Sequence, residues 1–178
     1  MITKWRKINL VRERHCGPIL TRMSAVRLAT PSDAPTLARL RYDFRASIHE
    51  PTEDEAAFVA RCAKWMTARL GAGGPWRCWV FETGGEIGGQ LWLQLIEKMP
   101  NPAKELELHG YITNVYVRPG ARGSGAGERL LETALAFCRE QRVDSVLLWP
   151  TPRSRSLYAR HGFAVQDDVM ELRLGGGR

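Results

Sequence analysis

The stretch that decides the fold runs from Tyr111 to Arg142 and reads YITNVYVRPGARGSGAGERLLETALAFCREQR. It opens with an apolar run in which Ile112, Val115 and Val117 are β-branched, and such a run predicts a strand. Glycines then dominate residues 120–127, and apolar residues after them recur at helical spacing: Leu130, Leu131, Ala134, Leu135 and Cys138. The stretch therefore predicts a strand, a glycine loop and an amphipathic helix.

The glycine loop is suited to binding phosphate. Glycine lets the backbone approach a ligand closely, and the first turn of the following helix presents free N–H groups at the positive end of the helix dipole. The spacing excludes the two common nucleotide motifs. A dinucleotide fingerprint would need glycine where Glu128 or Leu130 stands, and a P-loop would need a Gly-Lys-Ser/Thr sequence that this loop lacks.

Two motifs carry a resemblance to a known family. Residues 117–127, VRPGARGSGAG, match the pattern V-x-P-x-x-R-G-x-G-x-G, which resembles the acyl-CoA signature of the GCN5-related N-acetyltransferases (GNAT). Residues 157–163, LYARHGF, resemble the L-Y-x-x-x-G-F segment of the same family. The resemblance covers residues 25–174. It implies an α/β fold with a mixed central sheet of about six to seven strands, flanked by helices, whose splayed central strands hold acyl-CoA.

The rest of the chain agrees with this order of elements. Thr30-Pro31-Ser32-Asp33 predicts the start of a first helix, and the capping box Thr52-Glu53-Asp54-Glu55 predicts the start of a second. Strands are predicted over 25–28, 76–81, 90–96, 105–117, 145–149, 163–165 and 170–174, with a short helix over 154–160.

Composition favours one domain. The chain has 178 residues, of which 44% are hydrophobic and 25% charged. Its net charge is +7, and residues 1–23 supply +5 of it. We therefore expect a basic extension over residues 1–23 and a single GNAT domain over residues 24–175. The extension is either disordered or an arm that binds nucleic acid. No signal peptide or membrane-spanning run is recognisable, so a cytoplasmic protein is expected.

Metal is not expected. The four cysteines Cys16, Cys62, Cys78 and Cys138 are widely spaced and form no C-x-x-C pair, so neither a zinc site nor a disulfide framework is indicated.

The resemblance also implies where acetyl-CoA, the expected co-substrate, would bind. The pyrophosphate would lie on the loop amides, with two polar side chains nearby, while backbone groups of Val115 and Val117 would pair with the pantetheine arm as an added strand does. The gap for that arm is expected between the strands that end at Val117 and Trp149. Thr151 stands where many relatives carry a cofactor-contacting asparagine. The predicted cofactor-binding residues are Val115, Val117, Arg122, Gly123, Ser124, Gly125, Ala126, Gly127, Thr151 and Ser154.

Tyr158 is the predicted catalytic residue. A phenol has an ordinary pKa of about 10, so at neutral pH it is protonated and can donate to the departing thiolate. The alternative is that Tyr158 packs the short helix and only hydrogen-bonds the thioester sulfur. No general base is identified: Tyr111 lies near the position of a glutamate in some relatives, with Glu105, Glu107 and His109 upstream. Asn114 either lines the acceptor site or sits at a bulge.

The predicted reaction is transfer of acetyl from acetyl-CoA to a primary amine, by direct attack in a ternary complex. The acceptor would be a small molecule or a peptide, held by residues 41–51, 92–102 and 111–114. Acidic and aromatic residues in these segments suit a cationic amine: Tyr42, Asp43, Phe44, His49, Glu50, Trp92 and Glu97. A non-catalytic acyl-CoA sensor is the alternative, nucleic-acid binding ranks below it, and a homodimer is common among relatives.

Overall fold

The computed structural model describes residues 24–71, 73–102, 107–167, 169–172 and 174. The predicted extension over 1–23 and Glu105 lie outside these residues. The elements are β1 (Ser24–Leu28), α1 (Ala34–Ala46), α2 (Glu55–Arg69), β2 (Trp76–Thr83), β3 (Glu86–Glu97), β4 (Leu108–Val117), α3 (Ala126–Glu140), β5 (Ser145–Leu147) and α4 (Arg155–Arg160). Within the described ranges, no helix is both long and apolar enough to span a bilayer.

The strands form one mixed sheet in the order β1-β2-β3-β4-β5. Neighbours are antiparallel from β1 to β4, whereas β4 and β5 are parallel. The predicted mixed α/β sheet is confirmed, but it has five strands in the described part of the chain rather than six or seven. The strands predicted over 163–165 and 170–174 were wrong for the residues described there. Phe163 packs against the core, but Val165 and Met170 are 85% and 97% exposed, so neither segment buries the alternating apolar side chains that would hold a strand against the sheet.

Helices cover both faces of the sheet. Successive side chains of a strand point to opposite faces, and in β2 the side chains of Trp79 and Phe81 pack towards α3, while those of Cys78 and Val80 pack towards α1 and α2. The predicted apolar face of α3 forms the centre of the first layer: Leu130, Leu131, Ala134, Leu135 and Cys138 are all buried there.

The helix starts show which polar side chains satisfy the free amides. The helix start predicted at Thr30 is a 3-10 turn over Pro31–Asp33 that leads directly into α1, and in it the Oδ2 of Asp33 accepts from the Thr30 N–H at 2.7 Å. The capping box predicted at Thr52 was wrong, because α2 begins two residues later, with Asp54 as the capping residue. The Oδ1 of Asp54 accepts from the Ala57 N–H at 3.0 Å.

Two irregularities of β4 create the site. The pairing with β3 shifts between Gln90 and Trp92, and the opposing Asn114 has a φ of 52°. Asn114 therefore does sit at a bulge. On its other edge, β4 pairs with β5 at three positions and the pairing ends at Tyr111↔Leu147. Beyond that pair β4 continues to Val117 without β5 beside it, so β4 and β5 separate, as the resemblance implies, although β5 is the edge strand of the described sheet.

Candidate active site

A cleft of about 850 Å³ opens where β4 and β5 separate. Its walls come from α1, from β4 beyond Tyr111, from the segment after β5 and from α4. The lining residues are Arg41, Phe44, Arg45, Ile48, His49, Tyr111, Ile112, Thr113, Asn114, Val115, Leu148, Trp149, Pro150, Thr151, Ser154, Tyr158 and Glu171. The structure thus brings Val115, Thr151, Ser154 and Tyr158, which are far apart in the sequence, around one space.

Tyr158 forms part of the α4 wall. Its side chain is 7% exposed, and its ring packs edge-on against Phe163, with 5.7 Å between the ring centroids. Burial raises the pKa of the Tyr158 phenol, and the nearby Ser154 side chain opposes part of that rise. The phenol is therefore protonated at neutral pH and can donate a proton or a hydrogen bond into the cleft.

Thr151 and Ser154 hold the turn that precedes α4. The Oγ of Ser154 accepts from the Thr151 N–H at 3.0 Å and donates to the Thr151 carbonyl at 3.1 Å. The two hydroxyls are 3.0 Å apart. Both side chains line the cleft, but their polar atoms are engaged with each other. Their clearest structural role is to fix the start of the helix that carries Tyr158.

The glycine loop lies at the C-terminal end of β4 and does not line the cleft. Gly123 and Gly125 each have a φ of +76°, a conformation that favours glycine, and Gly125 is the residue that caps α3. A Cβ built on either residue would meet no heavy atom within 4 Å. The loop backbone is thus open to a ligand from outside, as phosphate binding requires.

The other loop residues have more varied environments. The Oγ of Ser124 donates to the Ala121 carbonyl at 2.7 Å, and Ala126 is 2% exposed in the core. A Cβ at Gly127 would lie 3.7 Å from Leu157, an ordinary van der Waals contact, so Gly127 faces α4 with room for a methyl group. For Ser124 and Ala126 only backbone groups are available to a ligand.

Arg122 and the end of β4 contact each other. The Nε of Arg122 donates to the Val117 carbonyl at 3.0 Å, and Val117 pairs with Gly89 on β3. Val115 lines the cleft, whereas Val117 does not. The free edge of β4 therefore leads from the cleft at Val115 towards the glycine loop.

Of the three residues considered for a base that the structure describes, one lines the cleft, while Glu105 lies outside the described residues. Tyr111 lies at the point of strand separation, and its ring packs edge-on against Trp149, with centroids 5.1 Å apart. Glu107 is instead ion-paired with Lys98 at 2.6 Å, which lowers the pKa of Glu107. His109 bonds the Ser145 hydroxyl at 2.6 Å. These two side chains stabilise the start of β4.

The acceptor side of the cleft differs from the expectation of acids beside aromatics. Trp92 is 2% exposed in the core, and neither Asp43 nor Glu97 lines the cleft. Two arginines of α1 line it instead, Arg41 and Arg45, and the Nη1 of Arg41 donates to the Asn114 Oδ1 at 3.2 Å. Their spacing of four residues, which places both on one helix face, was the sequence signal that could have found them.

A smaller cavity of about 410 Å³ adjoins this side of the fold. It lies between α1, the segment that follows it and α2, and Arg45 and His49 line both spaces. Glu50, Tyr42 and Phe58 line the smaller one only.

Within the part of the chain that the structure describes, one group of side chains has the make-up of a cation site. Glu128, Glu132 and His161 place ligand atoms within 4.8 Å of one another. A hydrogen bond of 2.9 Å joins the His161 Nδ1 to the Leu157 carbonyl, so Nε2 faces the two carboxylates at 4.0 and 3.8 Å. The group joins α3 to the end of α4, away from the cleft lining.

Comparisons with known proteins agree with this architecture. A 28% identical GCN5-related N-acetyltransferase from Ralstonia eutropha aligns over 86% of this chain and 100% of its own, with a TM-score of 0.66. A protein from Clostridium acetobutylicum, described as a predicted acetyltransferase and solved with acetyl-CoA, is 24% identical over 85% of this chain and 97% of its own, with a TM-score of 0.72.

More distant structures share the fold alone. Glucosamine-6-phosphate N-acetyltransferase from Arabidopsis thaliana is 15% identical over 86% of this chain and 99% of its own, with a TM-score of 0.61. No curated protein sequence matches this chain significantly. The family model described as the acetyltransferase (GNAT) family matches residues 37–163, which is more than half of the chain. The signature loop, the separation of β4 from β5 and this match lead to one conclusion: the chain belongs to the GNAT family of acetyltransferases.

Proposed function

We propose that this chain is an N-acetyltransferase that moves the acetyl group of acetyl-CoA to a primary amine by direct attack in a ternary complex. The observation that carries the proposal is the cleft between β4 and β5, with a protonated Tyr158 on one wall and a β4 edge that β5 leaves unpaired beyond Tyr111 on the other.

Two parts of the chain are suited to binding acetyl-CoA, the acetyl donor. The β4 edge at Val115 offers backbone groups to an extended amide-containing arm, as in strand addition. Further along, the open backbone of Gly123 and Gly125 and the amides at the start of α3 suit a pyrophosphate. Acetyl-CoA supplies an acetyl group activated as a thioester, and this continuous path would place the thioester near the point of strand separation.

Tyr158 is assigned the proton transfer. A C–N bond forms between the neutral amine and the acetyl carbon, the C–S bond breaks, and the phenol protonates the sulfur. The phenolate then recovers a proton as the acetylated amine loses one to solvent. Asn114 and Val115 have no regular partner on β3, so the amides of the bulge are candidate donors to the acetyl oxygen.

The catalytic domain is proposed to span residues 24–175 and to need no part of residues 1–23. The acceptor is a small molecule or a peptide, and a homodimer, a cytoplasmic location and independence of metal remain predictions.

The test is thiol release from acetyl-CoA with a panel of amines. For Tyr158→Phe, kcat should fall about tenfold or more, the usual size of a general-acid effect. Tyr116→Phe is the matched control, because it removes the same hydroxyl from a buried tyrosine outside the cleft lining. Acetyl-CoA binding with no thiol release for any amine would overturn the proposal and favour the sensor alternative. Unchanged turnover in Tyr158→Phe would show that Tyr158 is not the general acid, while the acetyltransferase proposal would stand.

A further inference from the structure

We propose that Arg41 and Arg45 form an anion-binding subsite at the acceptor side of the cleft, so that the acceptor carries a carboxylate or phosphate in addition to its amino group. This inference rests on the proposed N-acetyltransferase function and names the substrate class of that site.

The first observation is the fixed position of Arg41. Its side chain is half-buried on α1, its guanidinium lies 5.8 Å from the centroid of the Phe44 ring, and it donates to the Asn114 Oδ1 at 3.2 Å. Asn114 belongs to the β4 bulge, so this contact ties the arginine to the strand beside which the acetyl group is expected. A guanidinium held in this way is oriented before any ligand arrives.

The second observation is that the two charges are not neutralised. Among the residues that the structure describes, neither Arg41 nor Arg45 has a carboxylate within ion-pair distance, whereas Arg39 on the same helix is ion-paired with Glu55. The cleft wall at α1 therefore presents two cations side by side.

The third observation concerns the hydrogen-bonding capacity of Arg41. A guanidinium has five N–H donors, and the Asn114 contact uses one. No buried side-chain polar atom of the described residues lacks a partner, so any Arg41 donor without a protein partner is accessible to solvent, and Arg41 lines the cleft. Burial and the neighbouring Arg45 both lower the pKa of Arg41, and the Cys62 and Tyr111 side chains oppose part of that change. Arginine nevertheless stays charged at neutral pH.

The geometry separates this subsite from the reacting groups. Arg45 lines both the main cleft and the smaller cavity beside it, whereas Tyr158 lies on the α4 wall. An acceptor bound with its anion on α1 can direct its amino group towards β4 and Tyr158. A guanidinium pairs with carboxylate and phosphate by the same planar fork. Polycationic amines, by contrast, would be repelled by the two arginines.

The experiment compares matched amines that differ only in the anion. One pair is an α-amino acid and its amide, and the other is an amino sugar and its phosphate ester. In thiol release, the anionic member of at least one pair should show kcat/KM about tenfold or more above its neutral partner, in line with a charge-assisted hydrogen bond. The preference should shrink as salt is added, since salt screens charges.

The variants are Arg45→Gln and Arg41→Gln, both at half-buried positions of α1. Each should remove most of the preference, which is measured within each variant as the ratio of kcat/KM between the anionic and the neutral member of a pair. Arg39→Gln is the control, because that arginine is exposed and does not line the cleft. Equal kcat/KM for both members of every pair, or a preference that survives Arg45→Gln, would overturn the subsite but leave the acetyltransferase function standing.

A second readout keeps the inference testable without turnover. The N-acetylated forms of the same pairs are titrated onto the CoA complex by calorimetry. Tighter binding of an anionic form to the wild type, lost in Arg45→Gln and kept in Arg39→Gln, supports the subsite. This holds even if no amine reacts, because the absence of any reaction would overturn only the proposed function. Indistinguishable binding of all forms would overturn the subsite.

Discussion

At the scale of single residues, Tyr158 shows how burial prepares a side chain for its proposed role. Burial raises the pKa of the phenol, so the protonated form persists to a higher pH than for an exposed tyrosine. The ratio of kcat between wild type and Tyr158→Phe should therefore stay constant from about pH 7 to about pH 9, below the ordinary tyrosine pKa. Thiol release in overlapping buffers measures it. A ratio that declines across this range would show that the phenol ionises earlier, against the direction that burial imposes.

Asp33 is the residue through which we expect acid to weaken the fold. Hydrogen bonds from Arg27 and the Thr30 amide lower the pKa of Asp33 to about 2, against 3.8 when unperturbed. The stabilisation is present above the unfolded pKa and is lost as pH falls from about 4 towards 2, because protonation then competes with folding. Its full size is about 2 kcal/mol.

Asp33→Asn should accordingly lower the free energy of unfolding at pH 7 by about 1 to 2 kcal/mol and flatten its dependence below about pH 4. Urea unfolding at several pH values measures both effects. Glu53→Gln is the control, because it removes a carboxylate from an exposed ion pair with Arg61, for which the expected change is under about 1 kcal/mol. If the free energy of unfolding of Asp33→Asn depends on pH below pH 4 as steeply as that of the wild type, Asp33 is not the residue through which acid weakens the fold.

At the scale of elements, the turn from β4 into α3 determines how the chain meets the phosphates. Gly125→Ala places a Cβ on a residue with a φ of +76° and must shift the loop that caps α3. We expect KM for acetyl-CoA to rise about tenfold, the cost of one lost hydrogen bond to a charged group, with a smaller change in kcat. Gly120→Ala is the matched control: it lies in the same loop, has no positive φ and also faces open space. Equal KM values for the two variants would contradict the phosphate role of Gly125.

The contact between α3 and α4 gives a prediction about metal. Glu128, Glu132 and His161 could receive a cation, but both carboxylates are largely exposed, and exposed acidic groups are common without a bound ion. We expect EDTA to leave both the melting temperature and turnover unchanged. A structural metal site would instead be established if EDTA lowers the melting temperature of the wild type and Zn²⁺ restores it. In that case the melting temperature of His161→Gln should respond to neither reagent.

At the scale of the whole molecule, the parts that the sequence predicted correctly are those that local patterns determine. The strand, loop and helix of residues 111–142 follow from β-branched runs, glycines and helical spacing, and all three form. The strands predicted over 163–165 and 170–174 do not form in the described residues, because pairing at a sheet edge depends on a distant partner. The start of α2 moved from Thr52 to Asp54 because either side chain can cap a helix. The cationic wall at Arg41 was missed since tertiary packing decides which helix face borders the cleft.

The distribution of charge over the whole chain supplies the last prediction. Residues 1–23 carry +5 of the net charge of +7, so removing them leaves a nearly neutral chain. Because the cleft, the glycine loop and α4 all lie beyond residue 40, a chain that starts at Met23 should keep its kcat/KM for acetyl-CoA. Thiol release by full-length and shortened protein measures this. Binding to random-sequence DNA at about 50 and about 200 mM salt tests the nucleic-acid alternative, because phosphate contacts weaken steeply over that range. If the full-length protein binds DNA strongly and in a salt-dependent way, and if removing residues 1–22 abolishes both this binding and turnover, the extension takes part in function. Unchanged turnover after the removal assigns catalysis to the domain alone.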